Sequence, residues 1–262
     1  MAARLNRILT CCACVLIGGS AIFATAAPAL GPDTIQRAKP SVVAVGTFQR
    51  TRSPAFRFHG TGFAVGDGSL VATNAHVLPS VLDAEHQETL AIAIPSGAGS
   101  EAKVQEAKVL AVNRAYDMAL LRLSGARLQP LVLGDSSRVR EGSNYLFTGY
   151  PLGSVLGLFP VTHRAMISAL APIAIPSPDA RHLDPATLRR LSTGAYSIFQ
   201  LDGVAYPGNS GSPLYDPDSG EVIGVINMVF VKGTKEAALS QPSGITYAIP
   251  IQALKDLLAT ME

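Results

Sequence analysis

From Pro40 onward the sequence is a succession of short β-branched runs separated by Gly, Pro, Asn and Asp, and few segments show a helical period. Runs of this kind predict β-strands, and turn signals such as Gly66-Asp67-Gly68 join neighbouring strands into hairpins. About a dozen strands are too many for one small sandwich and favour two packed barrels. We therefore predict an all-β fold of two antiparallel six-stranded β-barrels, at about residues 38–125 and 134–250. The predicted strands are Ser41–Phe48, Gly60–Val65, Leu70–Thr73, Thr89–Ile94, Glu101–Val112, Met118–Leu123, Asn144–Gly149, Val161–Leu170, Ser197–Leu201, Pro213–Tyr215, Glu221–Val231 and Gly244–Ile249.

Two segments have the pattern of helices instead. Pro250–Met261 places four apolar residues along one face and predicts a C-terminal helix that packs on the second barrel. Asp184–Leu191 begins with an acidic residue and a proline, which are typical of a helix start. This second helix lies in the long segment Pro172–Gly194, for which we expect a rim or regulatory role. Deleting Asp179–Leu191 should then change the activity of the protein without changing the fold.

The first residues have the three-part layout of a secretory signal peptide. Arg4 and Arg7 precede an apolar run from Ile8 to Phe23, which is followed by Ala24-Thr25-Ala26. We predict a signal peptide at 1–26, a linker at 27–37, a catalytic domain at 38–262 and a periplasmic or secreted location. An uncleaved membrane anchor is the alternative, although the run is short for a bilayer span.

The cysteines and the charges limit the partners of the mature chain. Cys11, Cys12 and Cys14 all lie in the apolar run, so the mature protein would have no disulfide and no thiolate metal site. Acylation of one of them, as in a lipoprotein, is a weaker alternative. Without Arg4 and Arg7 the chain has 19 basic and 19 acidic residues. This balance gives no electrostatic reason to expect binding to nucleic acid or to an anionic membrane.

Three short motifs carry the residue types that nucleophilic catalysis needs. Pro207–Pro213 places Ser210 in a glycine-flanked turn just ahead of a strand. His76 follows an apolar strand, and Asp117 stands directly before the strand Met118–Leu123. Each residue alone has an ordinary structural explanation, as a turn residue, a structural histidine or a strand cap. Together they supply a hydroxyl nucleophile, a base and an anion that orients the base.

Five segments in this order resemble the protease domain of the HtrA/Deg branch of the trypsin-like serine proteases. They are Gly60–Val65 with Thr73–Leu78, Asp117–Leu121, Pro207–Leu214, Val222–Asn227 and Tyr247–Ile251. The resemblance runs from about Pro40 to Ile251. It implies a chymotrypsin-like fold and a secreted serine endopeptidase without a cofactor. No PDZ domain is recognisable after the protease domain, so PDZ-driven activation is not carried over to this chain.

The resemblance also implies a role for individual residues. Ser210 would be the nucleophile, His76 the general base and Asp117 the orienting carboxylate, with the N–H groups of Gly208 and Ser210 as oxyanion hole. The substrate pocket would be lined by Ala205, Tyr206, Ile226, Asn227 and Met228. Because none of these is acidic, we expect small or medium aliphatic P1 residues and unfolded polypeptide substrates.

Two residues depart from the pattern of related enzymes. Asn209 stands where digestive relatives have an acid that pairs with a newly cut N-terminus, so activation by that ion pair is not expected. Ser212 replaces a second glycine that is common in this branch, and we expect this small-for-small change to be tolerated.

Other classes of function were weighed on the same residues. An α/β-hydrolase needs its histidine after the serine, whereas all five histidines precede Ser210. Metal binding lacks a motif, and His163 and His182 are expected to be isolated in loop-like or exposed surroundings. Two alternatives stay open: a protease-fold protein used for binding in an inactive state, and a secreted esterase with the same triad. Homo-oligomer formation is left open as well.

Overall fold

The computed structural model describes residues 31–95, 102–172, 197–227 and 244–261, and its strands close into two barrels. Neighbouring strands of the first barrel follow the order β1-β2-β3-β6-β5-β4, and every pairing is antiparallel. These strands are β1 Val42–Phe48, β2 Phe56–Val65, β3 Leu70–Asn74, β4 Thr89–Ile94, β5 Lys103–Asn113 and β6 Met118–Leu123.

The second barrel has the same number of strands and is also antiparallel throughout, in the order β10-β11-β12-β9-β8-β7. Its strands are β7 Asn144–Gly149, β8 Val161–Pro172, β9 Ser197–Leu201, β10 Pro213–Tyr215, β11 Val222–Asn227 and β12 Thr246–Pro250. The predicted all-β fold of two six-stranded barrels is therefore confirmed. The strand predicted to reach Val231 is described only as far as Asn227.

Strand β1 explains why its sequence is an unbroken apolar run. Val43 and Val45 point into the interior of the first barrel, where they belong to the same core as Ile92. Val42 and Ala44 point to the opposite side and belong to a core that includes residues of both barrels. Because both faces are covered, the strand shows no alternation of apolar and polar residues.

The connection between the barrels is held against both of them. The N–H of Leu131 donates to the carbonyl of Ala64 in β2, at 2.9 Å. Val132 accepts from the N–H of Val222 at 2.9 Å, and Gly134 donates back to the carbonyl of Val222 at 2.8 Å. Residues 131–134 are therefore hydrogen-bonded to β2 of the first barrel and to β11 of the second.

Three α-helices lie outside the barrels in the described residues: α1 Pro32–Ala38, α2 Gly153–Leu156 and α3 Gln252–Ala259. Helix α3 is the C-terminal helix expected from the sequence, and it buries Ala253, Leu254 and Leu257. Helix α1 occupies most of the segment for which only a linker was expected. It begins after Gly31, whose φ of 91° suits glycine, and it buries Thr34 and Ala38.

Several sequence-based expectations fall on other parts of the chain. The signal peptide at 1–26, the helix Asp184–Leu191 and most of the segment Pro172–Gly194 lie outside the described residues. Within the described ranges no helix has the length and apolar character that crossing a membrane requires.

Candidate active site

His76 is held by Asp117 through two hydrogen bonds. It lies in the 3₁₀ turn Ala75–Val77, directly after β3. Its Nδ1 is 2.6 Å from Oδ2 of Asp117, and its backbone N–H donates to Oδ1 of the same carboxylate at 2.9 Å. A neutral imidazole with its proton on Nδ1 leaves Nε2 as an acceptor. The pair therefore has the orientation that a general base requires.

Asp117 is fixed by its backbone as well as by its side chain. Its φ of 51° lies in the left-handed region, which is uncommon for a residue other than glycine and is often found at functional sites. The carbonyl of Asp117 accepts from the N–H of Ala75 at 3.0 Å and from Nδ2 of Asn74 at 3.1 Å. These contacts aim the carboxylate, whose side chain is only 16% exposed, at His76.

Asn227 takes a position that the sequence did not suggest. The resemblance assigned it to the substrate pocket, but its Nδ2 donates to Oδ2 of Asp117 at 2.7 Å. The two residues lie on different barrels and are 110 positions apart. No local sequence signal marks such a contact, because Asn227 ends the buried apolar strand β11.

Ser210 belongs to the second barrel but contacts the first. It is 6% exposed, and its carbonyl accepts from the N–H of Thr61 at 2.8 Å. Gly60 is packed between Val77 and Ser210, because a Cβ there would lie 2.7 Å from Val77 and 3.1 Å from the Ser210 carbonyl oxygen. In the described part of the chain the Ser210 hydroxyl makes no hydrogen bond, so the structure joins His76 to Asp117 but not to Ser210. Catalytic hydrogen bonds are often long before substrate binds.

The loop before Ser210 has all of its carbonyl groups engaged. The carbonyl of Pro207 accepts from the N–H of Leu152 at 2.8 Å, and the carbonyl of Asn209 accepts from the N–H of Ser212 at 3.0 Å. Thr61 donates to the other two carbonyls, with its hydroxyl to Gly208 at 2.7 Å and with its N–H to Ser210 at 2.8 Å. The N–H of Asn209 donates to the carbonyl of Tyr206 at 2.9 Å. Among the described residues, the N–H groups of Gly208 and Ser210 have no acceptor. These two N–H groups are therefore able to donate to a ligand oxygen.

Two polar side chains in and directly after this loop are buried, those of Asn209 and Ser212. Asn209 and Ser212 are fully buried, and neither the amide of Asn209 nor the hydroxyl of Ser212 hydrogen-bonds to a described residue. Both pack on Gly149, where a Cβ would lie 2.0 Å from Oγ of Ser212 and 2.8 Å from Oδ1 of Asn209. Ser212 is thus accommodated because residue 149 has no side chain.

Of the other residues assigned to the substrate pocket, Ala205, Tyr206 and Ile226 are described and belong to the second barrel. The N–H of Ala205 donates to Oγ1 of Thr246 at 2.9 Å, and that hydroxyl donates to the carbonyl of Gly203 at 2.6 Å. Tyr206 is half-buried, and Ile226 is part of the second-barrel core. Met228 lies outside the described residues. The hydroxyl of Thr246 therefore links Gly203 and Ala205 to the start of β12.

The sequence analysis expected His163 to be isolated in loop-like or exposed surroundings, and this expectation is wrong. It lies on β8, half-buried, and its ring stacks on Phe147 with a centroid distance of 4.8 Å. Tyr206 is next to it, with a centroid distance of 6.4 Å. Burial lowers the pKa of His163, and its Nε2 is buried without a hydrogen bond. The other histidine of that expectation, His182, is outside the described residues.

A cavity of about 720 Å³ opens beside His76 on the first barrel. Its lining includes Leu78, Val81, Val109 and Val112, of which Val81 is 81% exposed. Exposed aliphatic side chains next to a candidate catalytic base suit the side chains of a bound polypeptide. No sequence motif marks this cavity, because its lining comes from separate strands and a turn.

The described residues offer no centre for a metal ion: no three His, Cys, Asp or Glu side chains lie close enough together to hold one.

The sequence of residues 60–225 matches the family model described as "Trypsin-like peptidase domain". The chain is 28% identical over 237 residues to "Serine protease HTR4" of Bos taurus, which covers 87% of this chain and 40% of that relative. It is 27% identical over 199 residues to "Probable periplasmic serine endoprotease DegP-like" of Halomonas elongata, which covers 76% of this chain and 34% of that relative. The chain thus spans 40% or less of the length of these two relatives.

Solved structures show the same architecture. The "Crystal structure of Deg5" aligns with a TM-score of 0.59 at 24% identity, covering 86% of this chain and 90% of the other. The structure "HtrA-type protease AlgW with tripeptide" aligns with a TM-score of 0.60 at 22% identity, covering 87% of this chain and 62% of the other. At these identities the likeness is one of fold.

Proposed function

Because the chain belongs to the trypsin-like peptidase family, we propose that it is a serine endopeptidase whose catalytic triad is Ser210, His76 and Asp117. The observation that carries this proposal is the 2.6 Å hydrogen bond between Nδ1 of His76 and Oδ2 of Asp117. Such a bond selects the tautomer in which Nε2 can take a proton, and it stabilises the imidazolium that then forms.

The reaction passes through an acyl-enzyme. Oγ of Ser210 attacks the carbonyl carbon of the scissile peptide bond while Nε2 of His76 takes the hydroxyl proton. The tetrahedral intermediate collapses as His76 gives that proton to the leaving amine, and the C–N bond breaks. A water molecule then attacks the ester, with His76 again taking and returning the proton, and releases the new carboxylate together with free Ser210.

The negative charge of the tetrahedral intermediate needs hydrogen-bond donors that are already in place. We assign this role to the N–H groups of Gly208 and Ser210. Support comes from the hydrogen bonds of the loop. Every carbonyl from Pro207 to Ser210 accepts a hydrogen bond, while these two N–H groups have no acceptor among the described residues. Donors fixed before the reaction stabilise a developing charge most effectively, because they need not reorganise.

The substrate in this proposal is a flexible polypeptide segment with a small or medium aliphatic P1 residue. The pocket residues Ala205 and Ile226 are buried and apolar, and the cavity beside His76 offers aliphatic contacts to a neighbouring side chain. A series of peptide p-nitroanilides with Val, Ala, Leu, Lys or Asp at P1 tests this preference. Faster turnover of the Lys or Asp substrate would contradict it.

We further propose a periplasmic or secreted location, reached through a signal peptide at 1–26 that is cleaved after Ala26. The layout of that segment supports it, as does a relative that is itself named periplasmic. N-terminal sequencing of the exported protein provides the test. A mature N-terminus at Ala27 is the expected result, and retention of residues 1–26 would refute cleavage. Assembly into a homo-oligomer is measured on the same sample by light scattering.

The experiment that tests the proposed activity treats purified protein with a fluorophosphonate probe and, separately, with unfolded casein. Ser210→Ala and His76→Ala serve as matched variants. We expect labelling and cleavage by the wild type and neither by Ser210→Ala. Hydrolysis of esters without cleavage of casein would indicate an esterase. A folded wild type that is not labelled would indicate a binding role and would refute the proposal.

A further inference from the structure

Thr61 lies in the first barrel, yet its hydroxyl hydrogen-bonds only to residues of the second in the described structure. The residue is fully buried in β2. Its Oγ1 donates to the carbonyl of Gly208 at 2.7 Å and accepts from the N–H of Tyr150 at 3.1 Å. One hydroxyl group therefore connects the loop before Ser210 with the segment that follows β7.

These two segments of the second barrel also contact each other directly. The N–H of Leu152 donates to the carbonyl of Pro207 at 2.8 Å. Gly208 is so close to the Tyr150 carbonyl oxygen that a Cβ would lie 2.3 Å from it. Thr61 thus stands at the junction of the two segments, and its hydroxyl satisfies one polar group of each.

The backbone of Thr61 reinforces this position. Its N–H donates to the carbonyl of Ser210 at 2.8 Å, and its own carbonyl accepts from the hydroxyl of Thr73 at 2.7 Å. Two carbonyls of the loop, on either side of Asn209, are therefore held by one residue of the other barrel. The side chain of Asn209 hydrogen-bonds to neither of them, nor to any other group in the part of the chain that the structure describes.

The Gly208 carbonyl needs such an anchor because glycine gives its own backbone little restraint. Gly208 has a φ of 104°, a conformation that other residues rarely adopt. Without a partner this half-buried carbonyl would lose its hydrogen bond, so that the loop would gain from turning it elsewhere. The Gly208–Asn209 peptide lies between the peptides that carry the N–H groups of Gly208 and Ser210, so turning it would change the backbone angles that direct both of them.

We propose that Thr61 is a positioning residue for the reaction described above, and that its hydroxyl holds the Gly208 carbonyl so that the N–H groups of Gly208 and Ser210 stay directed at the substrate. This proposal rests on the proposed serine endopeptidase activity. The first barrel would then supply the base and the orienting acid, and through Thr61 it would also hold the oxyanion-binding loop in place.

Three variants and one control test the role of the hydroxyl. Thr61→Val removes the hydroxyl but keeps the shape, Thr61→Ala removes it without adding a methyl group, and Thr61→Ser keeps it. The control is Thr47→Val, since Thr47 is also buried and its hydroxyl also has two partners, Glu88 at 2.6 Å and Arg52 at 3.2 Å. Thermal unfolding, kcat and KM on a peptide substrate are measured for these four variants and for the wild type.

We expect Thr61→Val to lower kcat at least tenfold, towards the ~10²–10³-fold loss seen when one oxyanion donor is removed, with little change in KM. Thr61→Ser should stay within about threefold of wild type. Thr47→Val should lose thermal stability to a similar degree but keep its kcat. If Thr61→Val or Thr61→Ala has the kcat of the control, or if Thr61→Ser is as impaired as Thr61→Val, the proposal is wrong.

Crystal structures of wild type and Thr61→Val separate this proposal from the proposed activity. A wild type without peptidase activity would refute the activity alone. The positioning role would still be tested by the structures, which are expected to show a rotated Gly208–Asn209 peptide in the variant. An unchanged Gly208 carbonyl direction in Thr61→Val would overturn the positioning role, whatever the activity of the wild type.

Discussion

The side-chain amide of Asn227, in the second barrel, donates a 2.7 Å hydrogen bond to the carboxylate of Asp117, in the first. The oxygen that accepts it, Oδ2, is also the one that faces His76 at 2.6 Å. The second carboxylate oxygen accepts from the backbone N–H of His76 at 2.9 Å. Three donors thus hold the acid, and Asn227 is the one that comes from the barrel of the candidate nucleophile.

Replacing Asn227 should therefore weaken catalysis more than it weakens folding. A hydrogen bond to a charged group contributes about 1.5–3 kcal/mol, so we expect Asn227→Ala to lower kcat/KM about tenfold or more. Asn227→Asp should be worse at neutral pH, because it puts a second carboxylate against Asp117. Steady-state kinetics and thermal unfolding of both variants provide the measurement. Equal kcat/KM in wild type and Asn227→Ala would contradict this role.

The close packing of Gly149 on Ser212 predicts a rescue. In Gly149→Ala the new methyl group would overlap Oγ of Ser212, and overpacking of this kind lowers the free energy of unfolding by about 1–3 kcal/mol. Ser212→Ala alone should be close to neutral, because the buried hydroxyl has no partner to lose. The double variant should recover most of the loss in urea unfolding. A double variant as unstable as Gly149→Ala would show that another contact is limiting.

Glu88 makes stability depend on pH in acid. Its pKa is lowered from 4.5 to about 2, first by the hydrogen bond from the Thr47 hydroxyl, then by the N–H of Asp83 and by Arg52. The stabilisation is complete above pH 4.5, the value of the unperturbed group, and is lost as the pH falls towards 2. The difference in Tm between wild type and Glu88→Gln should therefore shrink from pH 5 to pH 2. A constant difference over that range would refute the assignment.

His163 should make stability depend on pH in the neutral range. Its pKa is lowered from 6.5 by burial, so below pH 6.5 the unfolded chain binds the proton more readily than the folded chain, and the free energy of unfolding decreases. His163→Phe removes this loss and also removes the unpaired Nε2. We expect it to unfold at a higher temperature than wild type, with the larger gain at pH 5.5 than at pH 8. The opposite order would contradict the burial of a neutral ring.

The strands could be predicted because each has a local signal. β4, β6 and β7 begin and end at the predicted residues, where apolar or alternating runs stop at turn residues. Helix α1 was missed because its seven residues are too few to show a helical period and its N-cap, Gly31, makes no side-chain hydrogen bond. The sequence therefore predicted the elements that have a repeat, whereas the short helices α1 and α2 have none and were not predicted.

The candidate site divides in the same way. His76, Asp117 and the turn around Ser210 stand in recognisable motifs, whereas Asn227 and Thr61 act through partners that are 110 and 147 residues away. Both lie in segments that carry the family resemblance, but nothing in those segments marks their contacts, so only the docking of the barrels reveals what their side chains contact. His163 was misjudged for a related reason, because its stacking on Phe147 depends on the register of β7 with β8.

The division of the site between the barrels also sets a time at which the protein can become active. During synthesis the His76–Asp117 pair emerges from the ribosome well before Ser210 and Asn227, and the same order holds for a chain threaded through a membrane from its N-terminus. A partly made or partly translocated chain thus carries a base and an acid without a nucleophile. Under the roles proposed above, the chain has a complete active site only when its last strands have docked.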